Sequence, residues 1–375
     1  MVTLKEVSTK GGLRQFVKFP FSLYKNNKYW VPPIIKDEVD SFDKDLNPVF
    51  EHAHAHFFLA YKNNEIVGRI AAIINWIEVN DQKVRKMRFG WFDFIDDHEV
   101  SSALLNKVNE IGKQNNLDFI EGPVGFSNMD KVGILTEGFD HISSIISWYN
   151  YPYYSEHVEK FGYVKSQKFI ETYFYFKDVN IEKYKRFANI IKKKYDLKPL
   201  NFASSKEIMP YVEEMFKLFN TSYANLSSFV PISDKQIVYY KKKFINFINP
   251  EFIKFIVDKN GKIITFSVTM PSFAEAMQKA NGKLFPTGFF HILKAKKYSK
   301  DVVFFLIGIL PEYRKKGVTA IVFDEFFKTY TQRGIVKTIS TPELESNKDI
   351  QLIWKNFNPV IFKKRSTYKK KIDYS

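Results

Sequence analysis

The stretch Ile307-Gly-Ile-Leu-Pro-Glu-Tyr-Arg-Lys-Lys-Gly-Val-Thr-Ala320 reads as a strand that breaks into a basic, glycine-containing loop and then starts a helix. Upstream, residues 302–310 (Val-Val-Phe-Phe-Leu-Ile-Gly-Ile-Leu) form a continuous apolar run, as expected of a strand buried on both faces. Pro311 ends that ladder because it has no N–H to donate. Downstream, Ile321, Val322, Phe326 and Tyr330 recur at helical spacing until Gly334, the expected C-terminal cap. Between strand and helix, the backbone amides of Arg314 to Thr319 point outward at a helix N-terminus, where partial positive charge accumulates. Gly317 lets the backbone approach a ligand closely, and Arg314, Lys315 and Lys316 add full charges. These residues predict a phosphate cradle.

The 375 residues suggest two or three domains, and 45% hydrophobic content suffices for real cores. No apolar run approaches the roughly 20 residues needed to span a bilayer, and Met1-Val-Thr-Leu-Lys-Glu6 lacks the hydrophobic segment of a signal peptide. A cytoplasmic chain without a transmembrane segment is the expectation. The absence of cysteine excludes disulfides, thiolate metal sites and an acyl-cysteine intermediate. A net charge of +16 favours polyanionic partners. Lys363, Lys364, Arg365, Lys369, Lys370 and Lys371 cluster around Tyr368, but alternation along a strand would divide them between two faces, so a nucleic-acid patch is not required.

Two similar strand-turn-strand signals indicate a diverged internal duplication. Residues 57–75 read as two apolar strands around an Asn63-Asn64 turn, and residues 252–270 repeat the pattern around Asn260-Gly261. In the second half, Ser204-Ser-Lys-Glu207 and Ser233-Asp-Lys-Gln236 are capping boxes that open helices. In the first half, the strand Met87 to Ile95 runs into Asp96-Asp-His-Glu99 and a helix from Val100 to Lys113. Acidic residues there would repel a pyrophosphate, so this half is not expected to bind one. The strand Phe169 to Phe176 would close the first sheet. The polar stretch Lys177 to Asn180 is the domain boundary, dividing the chain into 1–178 and 179–375.

The order apolar-x-Pro-Glu-Tyr-Arg-x-Lys-Gly-Val resembles the coenzyme A pyrophosphate loop of the GNAT acyltransferases, with Arg314, Gly317 and Val318 matching its pattern. Thr319 stands where that family has a small residue. Over nearly its full length the chain resembles bacterial tandem GNAT proteins, through Leu23-Tyr24 with Trp30-Val-Pro-Pro33, Val67-Gly-Arg69, Gly122-Pro123, Asn150-Tyr-Pro-Tyr-Tyr154 and Glu345-Ser-Asn347. The resemblance implies an α/β (α+β) chain of two tandem GNAT-like domains, each a twisted, mixed, mainly antiparallel sheet flanked by helices. It also implies transfer of an acyl group from acetyl-CoA or a longer acyl-CoA directly to an amine acceptor. Cofactor residues would be Gly308, Ile309 and Leu310 along the pantetheine, Arg314 to Thr319 at the pyrophosphate, and Asn347.

A GNAT enzyme positions thioester and amine and supplies a base for the ammonium. The resemblance places the reaction centre where residues 302–310 and the following strand, Val336 to Thr341, would splay apart. Glu345 is the first candidate base and Glu343 its competitor; either could instead cap the last helix. Trp354 stands where many family members carry a tyrosine that protonates the thiolate, and an indole N–H is too weak an acid for that. Tyr368 would substitute if the terminal strand returns past the site.

His52, His54 and His56 alternate as metal ligands on one strand face would, but no matching partner is evident nearby, which favours a solvated edge. The aromatic runs Tyr173 to Phe176 and Trp148 to Tyr154 suit sheet packing, or a channel for a lipid-like substrate. Two other functions compete: a GNAT-fold binding protein without catalysis, and a tRNA-dependent aminoacyl transferase-like protein. The basic loop argues against the latter, which needs no pyrophosphate cradle.

Overall fold

The computed structural model describes residues 1–226, 228–244 and 249–374. The first half comprises β1 (Thr3–Glu6), α1 (Lys10–Leu23), α2 (Ile35–Ser41), β2 (Ala53–Lys62), β3 (Glu65–Asn75), β4 (Lys86–Phe94), α3 (His98–Gln114), β5 (Phe119–Gly122), β6 (Ile134–Glu137), α4 (Tyr153–Lys160) and β7 (Val164–Tyr175). The second half begins with α5 (Ile181–Tyr195), β8 (Lys198–Leu200), α6 (Ser205–Ile208), α7 (Val212–Tyr223), α8 (Asp234–Phe244), β9 (Ile253–Val257) and β10 (Ile263–Pro271). It continues with α9 (Ala274–Ala280), α10 (Gly288–Tyr298), β11 (Asp301–Ile309), α11 (Thr319–Arg333), β12 (Lys337–Ser340), β13 (Glu343–Leu344), α12 (Lys348–Trp354) and β14 (Val360–Lys371).

Local chemistry sets most of these boundaries. Asn63 and Asn64 both take left-handed φ, +52° and +64°, as a two-residue hairpin turn matched to strand twist requires. In the second hairpin the Asp258 carboxylate accepts from the amides of Asn260 and Lys262, and Gly261 supplies a φ of +81°. Ser233 and Gln236 form a reciprocal capping box, with contacts of 3.0 and 3.3 Å. Ser204 and Glu207 bond each other instead and open only the short α6. Gly334 caps α11 in the left-handed region.

Both halves contribute to one continuous sheet, in the order β1-β2-β3-β4-β5-β14-β7-β12-β11-β10-β9-β8. Neighbours are antiparallel except β4 with β5 and β11 with β12, the two places where a strand-helix-strand crossover returns the chain in the same direction. α11 and α5 cover the second half's core, and α3 the first half's.

The expectation that residues 169–176 close the first sheet is corrected by the pairing at the centre. The edge of β5 is taken by β14 from the far end of the chain, Tyr368 to Lys371 lying opposite Gly122 to Phe119. β7 in turn pairs with β12 of the second half and with β14. Each half is thus completed by the other half's last strand. The ladder between the exchanged strands encloses charge: Glu171 of β7 faces Lys363 of β14 and accepts from Arg365 Nε, all three being almost wholly buried. A one-residue slip would bury these charges without partners, so the ion pairs specify register more than they add net stability.

Glu171→Gln, which leaves two buried cations short of a counter-charge, is expected to lower unfolding free energy by about 3–5 kcal/mol. Arg365→Met should cost measurably less in that background than in the wild type. Urea titration of the four species provides the cycle, and strictly additive losses would sink the coupling.

Candidate functional site

Two irregularities in the second half open a gap in the sheet. β11 and β12 pair only from Asp301–Phe304 to Lys337–Ser340, after which β11 continues on β10 with this edge unpaired while Thr341 and Pro342 turn away. On its other edge, β11 carries an extra residue, Phe305, between the pairs Val268–Leu306 and Thr269–Phe304. Such a bulge bends the strand and re-aims its side chains. The result is a cavity of about 840 Å³ running from the 314–319 loop past β11 and β13 and into the first half.

At the loop end, Arg314, Lys315, Gly317, Val318 and Thr319 line the cavity. Lys315 and Gly317 adopt φ of +63° and +74°, and alternation of left- and right-handed residues turns successive amides to one side. The Arg314 and Lys316 amides donate to the Pro311 and Tyr313 carbonyls, both at 3.2 Å, and the first hydrogen bond of the following turn runs from the Ala320 amide to the Gly317 carbonyl at 3.0 Å, which leaves the amides of Lys315 and Gly317 to Thr319 outside these turns. Arg314 is held by a 2.8 Å bond to the Ser222 carbonyl. Lys316 departs from the expected phosphate set: its ammonium lies over the rings of Tyr313 and Tyr195, at 4.6 and 5.4 Å, and it is absent from the cavity lining.

Alternation also sorts the expected pantetheine residues. The Leu310 amide donates to the Ile264 carbonyl and the Gly308 carbonyl accepts from Thr265 Oγ1, so both are committed to β10. Ile309 turns its carbonyl to the open edge, where Ser222 Oγ donates to it at 3.1 Å. Two residues earlier, the Ile307 amide donates to the phenol oxygen of Tyr223, a side chain at the end of α7 that sequence reasoning missed. Burial and the nearby Glu343 push that phenol up to about 12.

Glu343 lines the cavity, and both of its carboxylate oxygens accept from Trp354 Nε1, at 2.8 and 2.9 Å. Burial pushes its carboxyl up to about 8, with the indole hydrogen bond acting in the opposite direction. Glu345, the first candidate from sequence, is exposed and outside the cavity, because the short β13 pairing of Glu343 with Ile170 turns position 343 inward first. Tyr368 is also displaced from the expected site. β14 does return past the cavity, but position 368 faces the first half's core and bonds Glu159 at 3.3 Å, while its neighbour Thr367 reaches the cavity. Asn347 lines the cavity and caps α12, accepting from the Ile350 amide at 3.4 Å.

The remaining walls were not legible beforehand. Lys183, Phe187 and Ile191 of α5 face the loop, and Phe169, Phe304 and Leu226 form an apolar midsection. At the far end, in the first half, stand Arg88, Asp130 and Lys131. Burial raises the Asp130 carboxyl and lowers the Lys131 ammonium, and Asp130 accepts from the Ser127 amide at 2.9 Å.

The equivalent position in the first half is closed. Asp97 caps α3 and pairs with Lys62 at 2.6 Å, and Asp96 meets His157 at 2.9 Å. The three histidines do not share a face, since His52 precedes β2 while His56 pairs with Glu6 at 2.7 Å.

Comparison with known proteins matches this arrangement to others. No family model matches the chain. It is 26% identical over 370 residues to Protein YghO of Escherichia coli (strain K12), covering 97% of this chain and 94% of that protein. It is 24% identical over 293 residues to a bacterial ceramide synthase of Caulobacter vibrioides (strain NA1000 / CB15N), covering 76% and 74%. Among solved structures, a tandem GNAT protein from the clavulanic acid biosynthesis pathway superimposes with a TM-score of 0.59 over the whole of both chains, at 8% identity. Duplicated hairpins, a splayed parallel pair in each half and that full-length superposition make this chain a member of the tandem GNAT fold.

Proposed function

We propose that the protein is an acyltransferase that moves an acyl group from acyl-CoA to an amine, with the cofactor on the second half and the acceptor entering from the first. The observation that carries this reading is one continuous cavity joining the basic loop, the open edge of β11 and the half-buried Glu343. Acyl-CoA supplies the thioester. Arg314, Lys315 and the loop amides hold its pyrophosphate, and the Ile309 edge of β11 aligns its pantetheine.

The Tyr223 hydroxyl accepts from Ile307 and directs its own proton toward the carbonyl that gains charge as the amine attacks. Glu343 takes the proton that the amine loses as its bond to carbon forms, and the carbon–sulfur bond breaks to release coenzyme A as its thiolate, which water protonates. A carboxyl near 8 suits that task, because general bases work best with a pKa close to ambient pH. Trp354 is then the group that orients this base and keeps it ionisable, which accounts for an indole where a phenol was expected. The apolar midsection and the resemblance to a ceramide synthase, whose name denotes making an N-acylated long-chain amine, favour a long acyl chain and an amphiphilic acceptor.

Calorimetric titration should show acetyl-, octanoyl- or palmitoyl-CoA binding to the wild type, tightest for the longer chains. Arg314→Ala combined with Gly317→Glu should weaken binding at least tenfold, about 1.4 kcal/mol. No binding of any acyl-CoA on the order of tens of micromolar would end the acyltransferase reading.

With any accepted amine, kcat/KM should rise with pH and level off above about 8 as Glu343 ionises. Glu343→Gln should lose about 10²–10⁴-fold in rate. Trp354→Phe removes a hydrogen bond that favours the carboxylate, so its profile should move to higher pH on the same amine. A profile unmoved by Trp354→Phe excludes Glu343 as the titrating base.

A further inference from the structure

The segment between β10 and β11 departs from the duplicated plan: α9 and α10 form a helical hairpin with no counterpart between β3 and β4. Its inner side is an ordinary core, with Phe273, Ala276 and Ile292 packed on Met270 and Val303. Its outer side is not. Phe285 is 77% exposed and Phe290 67%, and Phe289, Leu293 and Tyr298 are exposed beside them. Phe285 and Phe289 stack on each other at 6.3 Å, and Phe289 meets Phe290 at 6.1 Å. A contiguous aromatic patch of this kind on a chain surface marks an interaction site rather than incidental exposure.

The charge around it identifies the partner. Residues 274–300 carry six lysines against one acid, Glu275. Lys279, Lys283, Lys294 and Lys297 are exposed beside the aromatic residues. Aromatic side chains that insert to the headgroup level, surrounded by lysines that meet lipid phosphates, are the composition of a helix lying in a membrane interface. A protein partner would be expected to leave the core of such a patch free of lysine, and a nucleic acid would not call for exposed phenylalanines at its centre.

We infer that the outer face of the α9–α10 hairpin docks on an anionic lipid bilayer. Its position gives the docking a purpose. Ile146 and Phe305 pack against the inner side of the hairpin and also line the cavity, so the hairpin forms the outer layer of the acyl compartment's wall. Among the described residues no helix is long and apolar enough to cross a membrane, so the contact is peripheral. An amphiphilic amine would then be taken from the bilayer that the hairpin touches. The docking itself rests on the hairpin alone and stands apart from the acyl-transfer reading.

The test is co-sedimentation with vesicles, without acyl-CoA or amine, so that its failure is distinguishable from failure of the catalytic proposal. Wild type should bind phosphatidylglycerol-containing vesicles and bind phosphatidylcholine vesicles weakly, with loss at high salt. Phe285→Ser with Phe290→Ser should cut vesicle affinity at least about tenfold. Lys279→Glu with Lys294→Glu should do the same for the anionic vesicles. A separate Phe290→Trp reporter should shift its emission to the blue on adding anionic vesicles. Phenylalanine variants that bind like wild type, an unmoved reporter, or RNA binding that depends on the lysines while vesicle binding does not, would each overturn the inference.

Discussion

The exchange of β7 and β14 is the constraint on which the rest of the molecule depends. Each strand leaves its own half and completes the sheet of the other, and the ladder between them carries a buried carboxylate with two buried cations. Hydrogen bonding alone would tolerate several registers in such a pair, since any antiparallel alignment satisfies the backbone. Glu171, Lys363 and Arg365 make one alignment far better than its neighbours. That alignment brings Thr367 and Gln167 to the cavity wall and places Phe169 opposite Leu344, one residue from Glu343.

The cavity is therefore a property of both halves together. Its loop end is made from the crossover between β11 and α11, and its far end from the insertion after β5 in the first half. The duplicated first half kept the bulge and the splay but lost the anion site, with Asp97 and Lys62 occupying the ground where a phosphate would sit. Divergence of the two copies has left a basic, open loop on one half and internally paired acidic residues at the matching place on the other.

Much of this was legible in local sequence. The run from Val302 to Gly334 announced strand, loop, helix and cap because each carries its own stereochemical signal: a proline without a donor, a glycine at positive φ, an apolar stripe. The two hairpins were equally plain from Asn63-Asn64 and Asn260-Gly261. The exchange was not, because strands about 200 residues apart pair with no local cue. Glu343 and Glu345 were indistinguishable by type and spacing; a two-residue strand against Ile170 and Phe169 decided which one faces inward. Trp354 was read for what it cannot do as an acid, and its indole donates to the Glu343 carboxylate. The outer aromatic residues of α10 were hidden by composition, since a chain with 17% aromatic residues makes any one cluster look like core.

One mechanical consequence follows from the shared central ladder. Many two-domain enzymes admit and release their ligands by rotating one domain against the other about a linker, but here such a rotation would tear the strands that complete both sheets. The two halves are therefore fixed relative to each other through the sheet. α5 and α12, which contribute Phe187, Ile191, Asn347 and Ile350 to the cavity, roof it without belonging to any strand. The sheet thus forms a single trough across both halves, and these two helices lie over it.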